Sequence, residues 1–363
     1  MELDYQNPTD SFLESLEESV YGFISYDSAL TNKSKSHIDV PGFYFCKFKS
    51  VILFDHLEHK LVISENDKAS RDLLVQTQEK SLSREINLIN KFSRARSNFS
   101  DESYKAAIKE IKKKIFNGDF YEANLTRKFF GECNVQNSFQ IYRDILNVNQ
   151  VPYGAYAKLK DFEIISFSPE RFIKLSDGIV TSRPIKGTIS VGKKLEDTLK
   201  NQEILKHSVK NRAENLMIVD LMRNDFSKNC IPNTVNVKNL FETEIYKNVI
   251  HMYSDIEGEL KGEFIDCLSD AFPPGSMTGA PKKIAIEVCD EIENYSRGLY
   301  SGCLGYYHPR YADFSVMIRT LVIKKNQYEI QVGGAIVADS DPDDELSEIY
   351  AKFKPFKNFI ETC

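Results

Sequence analysis

The chain has 363 residues, of which 42% are hydrophobic and 28% are charged, and its formal net charge is −6. This composition is typical of a folded globular enzyme and excludes a largely disordered chain. It contains no basic tract long enough for a nucleic-acid-binding surface, and no apolar run approaches the about 20 residues that a membrane-spanning helix needs.

The cysteines and the N-terminus predict the compartment. The seven cysteines are dispersed and form no C-x-x-C pair, a pattern that favours reduced thiols in a cytoplasmic protein. The first residues, Met1 to Asp4, are acidic and lack the apolar segment of a signal peptide. We therefore expect a cytoplasmic protein that binds neither nucleic acid nor membrane.

The N-terminal third of the chain predicts mainly strands and one helix. Short apolar runs at residues 20–26, 42–46, 51–54 and 60–63 are typical of β-strands. Ser100 favours a helix N-terminus, and the apolar spacing that follows predicts a helix ending at Gly118. Residues 120–130 predict a further strand.

The remainder mixes helices with neighbouring strands. Residues 197–223 predict one long helix, and Pro281 is well suited to begin another. The apolar side of the first of these is predicted to contain Ile204, Leu205, Val209, Leu216, Met217 and Leu221. Residues 311–323 and 328–337 predict two adjacent strands, and the last helix begins near Asp343. Adjacent strands without strict βα alternation predict an α+β fold with antiparallel sheets.

A lysine motif is the first candidate for chemistry. Lys186 lies in the segment PIKGT (residues 184–188), between the rigid Pro184 and the conformationally permissive Gly187. The segment follows directly on a predicted strand. Lysine changes its pKa readily on burial, and its neutral amine is a strong nucleophile. Glu170, at the end of another predicted strand, could supply the matching acid. A solvated lysine is the alternative interpretation of this motif taken alone.

Three carboxylates are candidates for a metal site. Glu345 and Glu348 are three residues apart near the start of the last helix, with Lys352 on the same side. Two adjacent carboxylates repel each other unless a cation lies between them, and oxygen ligands suit Mg²⁺. The alternative is an exposed acidic turn.

Glu214 is the third of these carboxylates. It lies in an otherwise apolar helical run, where a carboxylate is costly unless it is paired or bound to metal. A structural ion pair with Arg212 or Arg223 is the alternative.

Other segments suit a carboxylate-bearing ligand. Residues 272–282 place serine and threonine hydroxyls just before a predicted helix N-terminus, which favours anion binding. Arg319 stands in a predicted apolar strand and can hold a carboxylate with two hydrogen bonds. Gly333 and Gly334 let a ligand approach the backbone closely, and His251 is either structural or functional. These features predict a small substrate with more than one carboxylate, a divalent cation and a nucleophilic lysine.

The order of the motifs resembles the chorismate-utilising enzymes, and within that family the aminodeoxychorismate synthase component I branch. The matching segments are GDFYEANLT (118–126), SPERF (168–172), PIKGT (184–188), AENLMIVDL (213–221), RND (223–225), residues 275–282, RGLYSG (297–302) and residues 333–340 with Glu345 and Glu348. The resemblance is strong over residues 100–363. It implies one domain over residues 1–363, in which two antiparallel sheets pack together and are flanked by helices. Residues 1–92 would be a shortened strand-rich part, and 93–363 the catalytic core.

Lys186 indicates the branch, because anthranilate and salicylate synthases typically carry alanine at this position. The resemblance therefore implies amination of chorismate at C4, for p-aminobenzoate and folate biosynthesis. Lys186 would add at C2, Glu170 would protonate the leaving C4 hydroxyl, and ammonia would then displace the lysine. The chain has no glutaminase motif, so ammonia would come from solution or from a separate glutamine amidotransferase subunit.

The resemblance also implies the ligand contacts. Mg²⁺ would be held by Glu214 and Glu348, with Glu345 reaching it through water. The substrate-binding residues implied are His251, Thr278, Gly279, Tyr300, Arg319, Gly333, Gly334, Ala335 and Lys352.

Three positions and one N-terminal segment need comment against the family pattern. Asn211 stands where relatives usually carry an acid, and Glu122 replaces a more usual glutamine, so it must be protonated or paired. Ala335 replaces a glycine, and its backbone should stay in an allowed region. The segment from Phe12 to Ser15 imitates the tryptophan-pocket motif Leu-Leu-Glu-Ser but lies close to the first strand, so we predict helix chemistry there and no tryptophan site.

Three other functions remain open. Anthranilate synthase component I is the nearest, although Lys186 argues against it. A non-catalytic chorismate-binding paralogue would explain Glu122 and Asn211 but not the retained acids. A lysine aldolase would share the lysine nucleophile but requires a carbonyl substrate.

Overall fold

The computed structural model describes residues 18–30, 36–56, 59–63, 72, 90–148 and 150–361. The helices in this part of the chain are α1 (Asp101–Phe116), α2 (Ser138–Val148), α3 (Leu195–Lys206), α4 (Val209–Asn229), α5 (Phe264–Ala271), α6 (Lys282–Glu293) and α7 (Pro342–Glu361). The strands are β1 (Val20–Ile24), β2 (Phe43–Cys46), β3 (Ile52–Asp55), β4 (Lys60–Ile63), β5 (Lys91–Phe92), β6 (Arg96–Ser97), β7 (Glu122–Asn134), β8 (Tyr153–Lys158), β9 (Phe162–Ser168), β10 (Arg171–Ser176), β11 (Ile179–Arg183), β12 (Ile185–Ser190), β13 (Asn236–Ile245), β14 (Val249–Glu259), β15 (Gly279–Ala280), β16 (Cys303–Tyr307), β17 (Tyr311–Val316), β18 (Thr320–Lys324) and β19 (Gln327–Ile336).

Two antiparallel sheets form the frame. The first has nine strands in the order β12-β14-β11-β10-β17-β16-β1-β2, with β13 also paired to β14. The second has eight strands, in the order β15-β7-β19-β18-β9-β8, with β5 and β6 also paired to β7. The predicted α+β fold of one domain with two antiparallel sheets is confirmed. The predicted division at residue 92 stays a prediction.

Alternating side chains bury both faces of the sheets. In β18, Leu321 and Ile323 join a large apolar cluster with α1, α2, α6 and α7, whereas Val322 between them points the other way. Val322 packs with Ile164 of β9 and Phe23 of β1, which joins the two sheets. On the far side of the nine-stranded sheet, α4 and α5 complete a further cluster. The sheets therefore pack against each other with helices outside.

The helix predicted over residues 197–223 is wrong as a single element. The chain breaks at His207, and Ser208 caps a new helix, α4, by accepting a hydrogen bond from the backbone N–H of Asn211. The break resets the helical phase, so Val209 is 84% exposed and Leu216 is 43% exposed instead of facing the core. The buried face of α4 is made of Asn215, Ile218, Val219, Met222, Asp225 and Phe226.

The strand predicted over residues 311–323 is also two elements. β17 ends at Val316 and β18 begins at Thr320, because the chain leaves one sheet there and enters the other. Arg319 lies in this crossing with a φ of 51°. The prediction that Arg319 belongs to a strand is therefore wrong.

Two predicted helix N-termini are confirmed. Ser100 caps α1 by accepting from the N–H of Ser103, and α7 begins one residue before Asp343. The six cysteines in the described ranges are free. Among the described residues, no helix is both long and apolar enough to cross a membrane. The segment from Phe12 to Ser15 lies outside the described residues.

Candidate active site

The candidate site lies where the chain crosses between the sheets. Glu170 lies in the segment that crosses from β9 to β10. Arg319 lies in the segment that crosses from β17 to β18. The crossings adjoin, because the N–H of Phe167 donates to the carbonyl of Arg319 at 3.1 Å and the N–H of Val316 donates to the carbonyl of Glu170 at 3.0 Å. Backbone hydrogen bonds thus fix the acid and the arginine relative to each other.

A bulge places Lys186 at the edge of the nine-stranded sheet. The register of β12 on β14 shifts between Ile185 and Thr188, and Lys186 and Gly187 lie in the shift. Gly187 has a φ of 94°, and a Cβ there would lie 3.0 Å from the side chain of Asn211. Bulges redirect side chains at the edges of sheets, and this one needs glycine beside the lysine.

Lys186 forms a buried ion pair with Glu122. Its Nζ donates to Glu122 Oε1 at 2.6 Å, and the two residues are 9% and 0% exposed. The lysine is thus buried, not solvated. Burial lowers the pKa of Lys186, but the attraction of Glu122 outweighs it, so the pKa lies above its ordinary value. Lys186 is therefore an ammonium in the free protein, and a nucleophilic amine requires the loss of a proton.

Glu170 is suited to act as an acid near neutral pH. It is 5% exposed, and burial raises its pKa to about 7, although a hydrogen bond from Ser276 and the charge of Lys186 act in the opposite direction. Ser276 Oγ donates to Glu170 Oε1 at 2.6 Å. The N–H of Ile185, the residue before the lysine, also donates to this carboxyl. The acid and the lysine are therefore neighbours.

Two carboxylates of α7 approach the glycines of β19. Glu345 is 5% exposed and accepts a hydrogen bond from Ser340 Oγ at 2.7 Å. A Cβ on Gly334 would lie 3.2 Å from Glu345 Oε2 and 3.9 Å from Glu348 Oε1. Burial and the charge of Glu348 raise the pKa of Glu345, against the effect of the Ser340 hydrogen bond. The glycine therefore leaves room between the strand and the two acids.

Lys352 balances the second acid. Its Nζ lies 2.5 Å from Glu348 Oε1 and donates to the carbonyl of Gly333 at 2.7 Å. Burial raises the pKa of Glu348, but the ammonium of Lys352 more than compensates, so this pKa lies below its ordinary value. The amine of Lys352 is thus already engaged by two partners.

Glu214 faces the same region from α4. Its alternative partners pair elsewhere, because Arg212 stacks on Phe241 at 4.6 Å and Arg223 bonds Asp220 at 3.0 Å. Burial raises the pKa of Glu214, and the positive charges of Lys186 and Lys210 only partly offset this effect. The residue is thus a half-buried acid whose ion pair with Lys210 is long, with 4.0 Å between Lys210 Nζ and Glu214 Oε1.

These acids fit a magnesium ion by donor chemistry. Among the described residues, no three His, Cys, Asp or Glu side chains converge tightly enough to hold a metal. Mg²⁺ needs no such cage, because it keeps several waters and is usually bound by one or two carboxylates together with its substrate. Glu214, Glu345 and Glu348 offer only oxygen, and burial disfavours the charge of Glu214 and Glu345. A cation would relieve that cost.

Arg319 is a half-buried cation that could pair with a bound anion. Burial lowers the pKa of its guanidinium. In the described ranges it makes no ion pair, unlike the arginines at 171, 183 and 297. Its φ of 51° costs backbone energy, and such strain persists where the surrounding structure requires it, commonly at functional sites.

Tyr300 and two segments complete this side of the site. Tyr300 is 6% exposed, and a Cβ on Gly333 would lie 3.0 Å from its hydroxyl. Thr278 is 1% exposed and donates to the carbonyl of Gly275 at 3.2 Å. Gly279 follows with a φ of 139° and pairs with β7. Ala335 of β19 pairs with Asn124 of β7 and has no positive φ, as predicted.

His251 is buried beside the arginine. Its Nδ1 lies 2.8 Å from Thr188 Oγ1, and burial together with the charge of Arg319 lowers its pKa to about 3. The imidazole is therefore neutral, which suits either a structural role or a hydrogen bond to substrate.

Sequence reasoning missed two partners. Glu122 was recognised as unusual, but its contact with Lys186 spans 64 residues and leaves no local signal. Ser276 lay in the hydroxyl-rich segment, yet its bond to Glu170 spans 106 residues. Both partners depend on how the two sheets meet.

The comparisons with known proteins indicate the family. A model of a family described as chorismate binding enzyme matches residues 2–358. Aminodeoxychorismate synthase, chloroplastic, of Arabidopsis thaliana is 36% identical over 372 residues, which cover 94% of this chain and 40% of that protein. Aminodeoxychorismate synthase component 1 of Bacillus subtilis is 32% identical over 360 residues, 94% of this chain and 76% of that protein.

A solved structure shows the same fold. Anthranilate synthase component I from Streptococcus pneumoniae TIGR4 has a TM-score of 0.80 at 28% identity and covers 92% of this chain and 79% of that one. The chain thus spans less than half of the Arabidopsis protein but about three quarters of the Bacillus protein. The names of these relatives divide between aminodeoxychorismate synthase and anthranilate synthase. Because the family match extends over nearly its whole length, the chain belongs to the chorismate binding enzyme family.

Proposed function

We propose that this chain is the chorismate-aminating component of an aminodeoxychorismate synthase. It would convert chorismate and ammonia to 4-amino-4-deoxychorismate and water, through a covalent bond to Lys186. The observation that carries the proposal is the buried lysine beside a buried acid, joined through the N–H of Ile185. A lysine nucleophile has a use only if the reaction has a covalent step.

In the first half of the reaction, the neutral amine of Lys186 adds to C2 of chorismate. The ring double bonds shift, and the bond between C4 and its hydroxyl oxygen breaks. Hydroxide is a poor leaving group, so Glu170 delivers a proton to that oxygen and water leaves. A pKa of about 7 keeps a large fraction of Glu170 protonated at neutral pH.

In the second half, ammonia attacks C4 and the bond between C2 and the lysine nitrogen breaks. The double bonds return to their first positions, and the amine of Lys186 is released. The new C4 ammonium gives a proton to the Glu170 carboxylate, which restores the acid. Lysine and glutamate thus end as they began.

The remaining residues orient the two substrate carboxylates. Arg319 would form charge-assisted hydrogen bonds to one of them, with Tyr300, Thr278 and the backbone at Gly333 and Gly334 beside it. Lys352 would act on that carboxylate through its charge while it holds Glu348. The other carboxylate would lie toward Glu214, Glu345 and Glu348. Mg²⁺ bound by these acids would neutralise its charge.

Ammonia is expected from a partner subunit. A separate glutamine amidotransferase would release it next to the site, and ammonium in solution would replace that partner in the assay. We expect turnover with ammonium alone and a higher rate with glutamine when the partner is present.

The second candidate is anthranilate synthesis, which the structural likeness to the Streptococcus enzyme favours. That reaction aminates C2, the position that Lys186 would occupy in our proposal. The two functions therefore yield different products from the same assay.

Incubation with chorismate, Mg²⁺ and ammonium, followed by chromatography and mass analysis, tests the proposal. We expect 4-amino-4-deoxychorismate, its loss in Lys186→Ala, and its retention in Lys109→Ala, which changes an exposed lysine on α1. Anthranilate as the product would favour the second candidate. No chorismate consumption would indicate a paralogue without catalytic activity.

A further inference from the structure

Glu122 is a buried acid with one oxygen unused. Oε1 accepts the hydrogen bond from Lys186 at 2.6 Å, whereas Oε2 is buried and has no hydrogen-bond partner in the described part of the chain. A carboxylate in that position is poorly solvated, and burial of an ionised acid is costly unless its charge is fully compensated. The pair therefore carries a desolvation cost that one hydrogen bond offsets only in part.

The backbone holds Glu122 rigidly against the lysine. Glu122 begins β7 and pairs with Ala280 of β15. A Cβ on Gly279 would lie only 2.0 Å from the carbonyl oxygen of Glu122, so the two strands are in close contact. The short hydrogen bond to Lys186 thus connects the two sheets and does not depend on a mobile loop.

Other charged groups face Lys186 without touching it. Glu214 on α4, Glu170 before β10 and Glu348 on α7 act on it through their charges. In the described ranges, Glu122 is the carboxylate that hydrogen-bonds to Nζ. It alone among these acids already shares a proton with the amine.

We propose that Glu122 is the proton acceptor for Lys186, which stores the nucleophile as an ammonium and takes its proton when substrate binds. This inference rests on the proposed function. A glutamine at this position cannot accept the proton. Glu122 therefore makes activation of the lysine independent of bulk pH in this chain.

The proton balance closes over the catalytic cycle. The Nζ proton of Lys186 moves to Glu122, and the neutral amine attacks C2 while Glu170 protonates the departing oxygen. The adduct nitrogen carries two hydrogens and a positive charge. When ammonia displaces it, the nitrogen keeps the electron pair of the broken bond and leaves as a neutral amine. Glu122 then returns the proton.

Substrate binding provides the trigger. Lys186 keeps 9% of its surface exposed in the free protein. A ring bound over the amine removes that remaining water, and desolvation disfavours the charged form of both partners at once. Transfer of one proton along the existing hydrogen bond neutralises both.

The first test follows adduct formation without ammonia. The rate constants of wild type and Glu122→Gln would be measured from pH 5.5 to 9 by rapid mixing with chorismate and Mg²⁺, with quenching and intact-protein mass analysis. The ratio of variant to wild type cancels the common dependence on Glu170. We expect this ratio to fall about tenfold for each pH unit below the pKa of the lysine in the variant, and to be constant above it.

Two variants serve as controls. Glu132→Gln makes the same change at an exposed position further along β7 and should give a ratio that is flat with pH. Glu122→Asp keeps an acceptor, so its ratio should also be flat even if its rate is lower. Thermal unfolding of each variant would show whether the fold is retained.

The second test does not need turnover. Cyanate carbamylates neutral amines, and peptide mass analysis reports the modification of Lys186 at pH 7. Without the carboxylate, the buried lysine loses the group that keeps it protonated, so Glu122→Gln should be modified about 10-fold faster or more, whereas Glu132→Gln should match wild type.

The outcomes separate this inference from the proposed function. A flat ratio for Glu122→Gln across the pH range, or unchanged carbamylation, would overturn the role of Glu122 while the adduct still forms. No adduct in wild type would instead contradict the covalent mechanism. Slower adduct formation with a constant ratio would mean that Glu122 only positions the lysine.

Discussion

Replacement of Glu170 by glutamine should impair catalysis and at the same time stabilise the protein. The amide has nearly the same shape and keeps an oxygen that can accept from Ser276, but it cannot deliver a proton. An unperturbed glutamate with a pKa of 4.5 would be protonated in roughly 1 molecule in 300 at pH 7. With a pKa of about 7, Glu170 is protonated in about half of the molecules at this pH. Loss of this acid should lower kcat by about 10²-fold or more, with little change in KM.

The stability effect has a definite sign. The pKa of Glu170 is higher in the folded state than in the unfolded state, so the folded state retains a proton between pH 4.5 and about 7 that the unfolded state has lost. The free energy of unfolding therefore falls as pH rises through this window. At about 1.4 kcal/mol for each pKa unit, the full cost above pH 7 is about 3 kcal/mol. Glu170→Gln avoids it.

Chemical denaturation at pH 5 and pH 8 would measure this difference. We expect Glu170→Gln to gain up to about 3 kcal/mol over wild type at pH 8 and much less at pH 5. Glu110→Gln, an exposed replacement on α1, should change neither kcat nor stability appreciably. Near-normal turnover by Glu170→Gln, or a stability difference that is equal at the two pH values, would refute the assignment of Glu170 as a buried acid.

Two further predictions concern the neighbours of that acid and the substrate. Ser276→Ala removes a hydrogen bond that stabilises the Glu170 carboxylate, so the pKa of Glu170 should rise further. The alkaline limb of the pH profile of kcat/KM should therefore move to higher pH. An alkaline limb at the wild-type pH would contradict this. Arg319→Gln should raise the KM for chorismate about 10-fold to 100-fold, the equivalent of one charge-assisted contact. It should also raise the Tm, because it removes a half-buried cation whose pKa is lowered by desolvation. Steady-state kinetics and calorimetry would measure both effects, and an unchanged KM would exclude a substrate contact.

Local sequence signals predict a helix well where its N-terminal residues supply their own cap. Ser100 caps α1 because a serine followed by acidic residues and an apolar stripe is sufficient to start a helix. The apolar periodicity continues through His207 and hides the break there, although Ser208 offers the same type of cap. Periodicity alone does not distinguish one helix from two in succession.

The candidate site was only partly predictable. The motifs around Lys186 and Glu170 were visible in the sequence, and the fold places them side by side. The left-handed backbone of Arg319 was not visible, because an arginine has no local preference for a φ of 51° and the crossing between sheets imposes it. The ion pair of Lys186 with Glu122 depends equally on tertiary structure.

The covalent role of Lys186 can be measured directly. The protein would be incubated with chorismate and Mg²⁺ in the absence of ammonia and glutamine, quenched in acid, digested and analysed by mass spectrometry. The account predicts that the peptide carrying Lys186 gains the mass of chorismate less one water, and that added ammonium removes this adduct as the 4-amino product appears. Formation of that product at the normal rate with Lys186 never modified, or by Lys186→Ala, would contradict it.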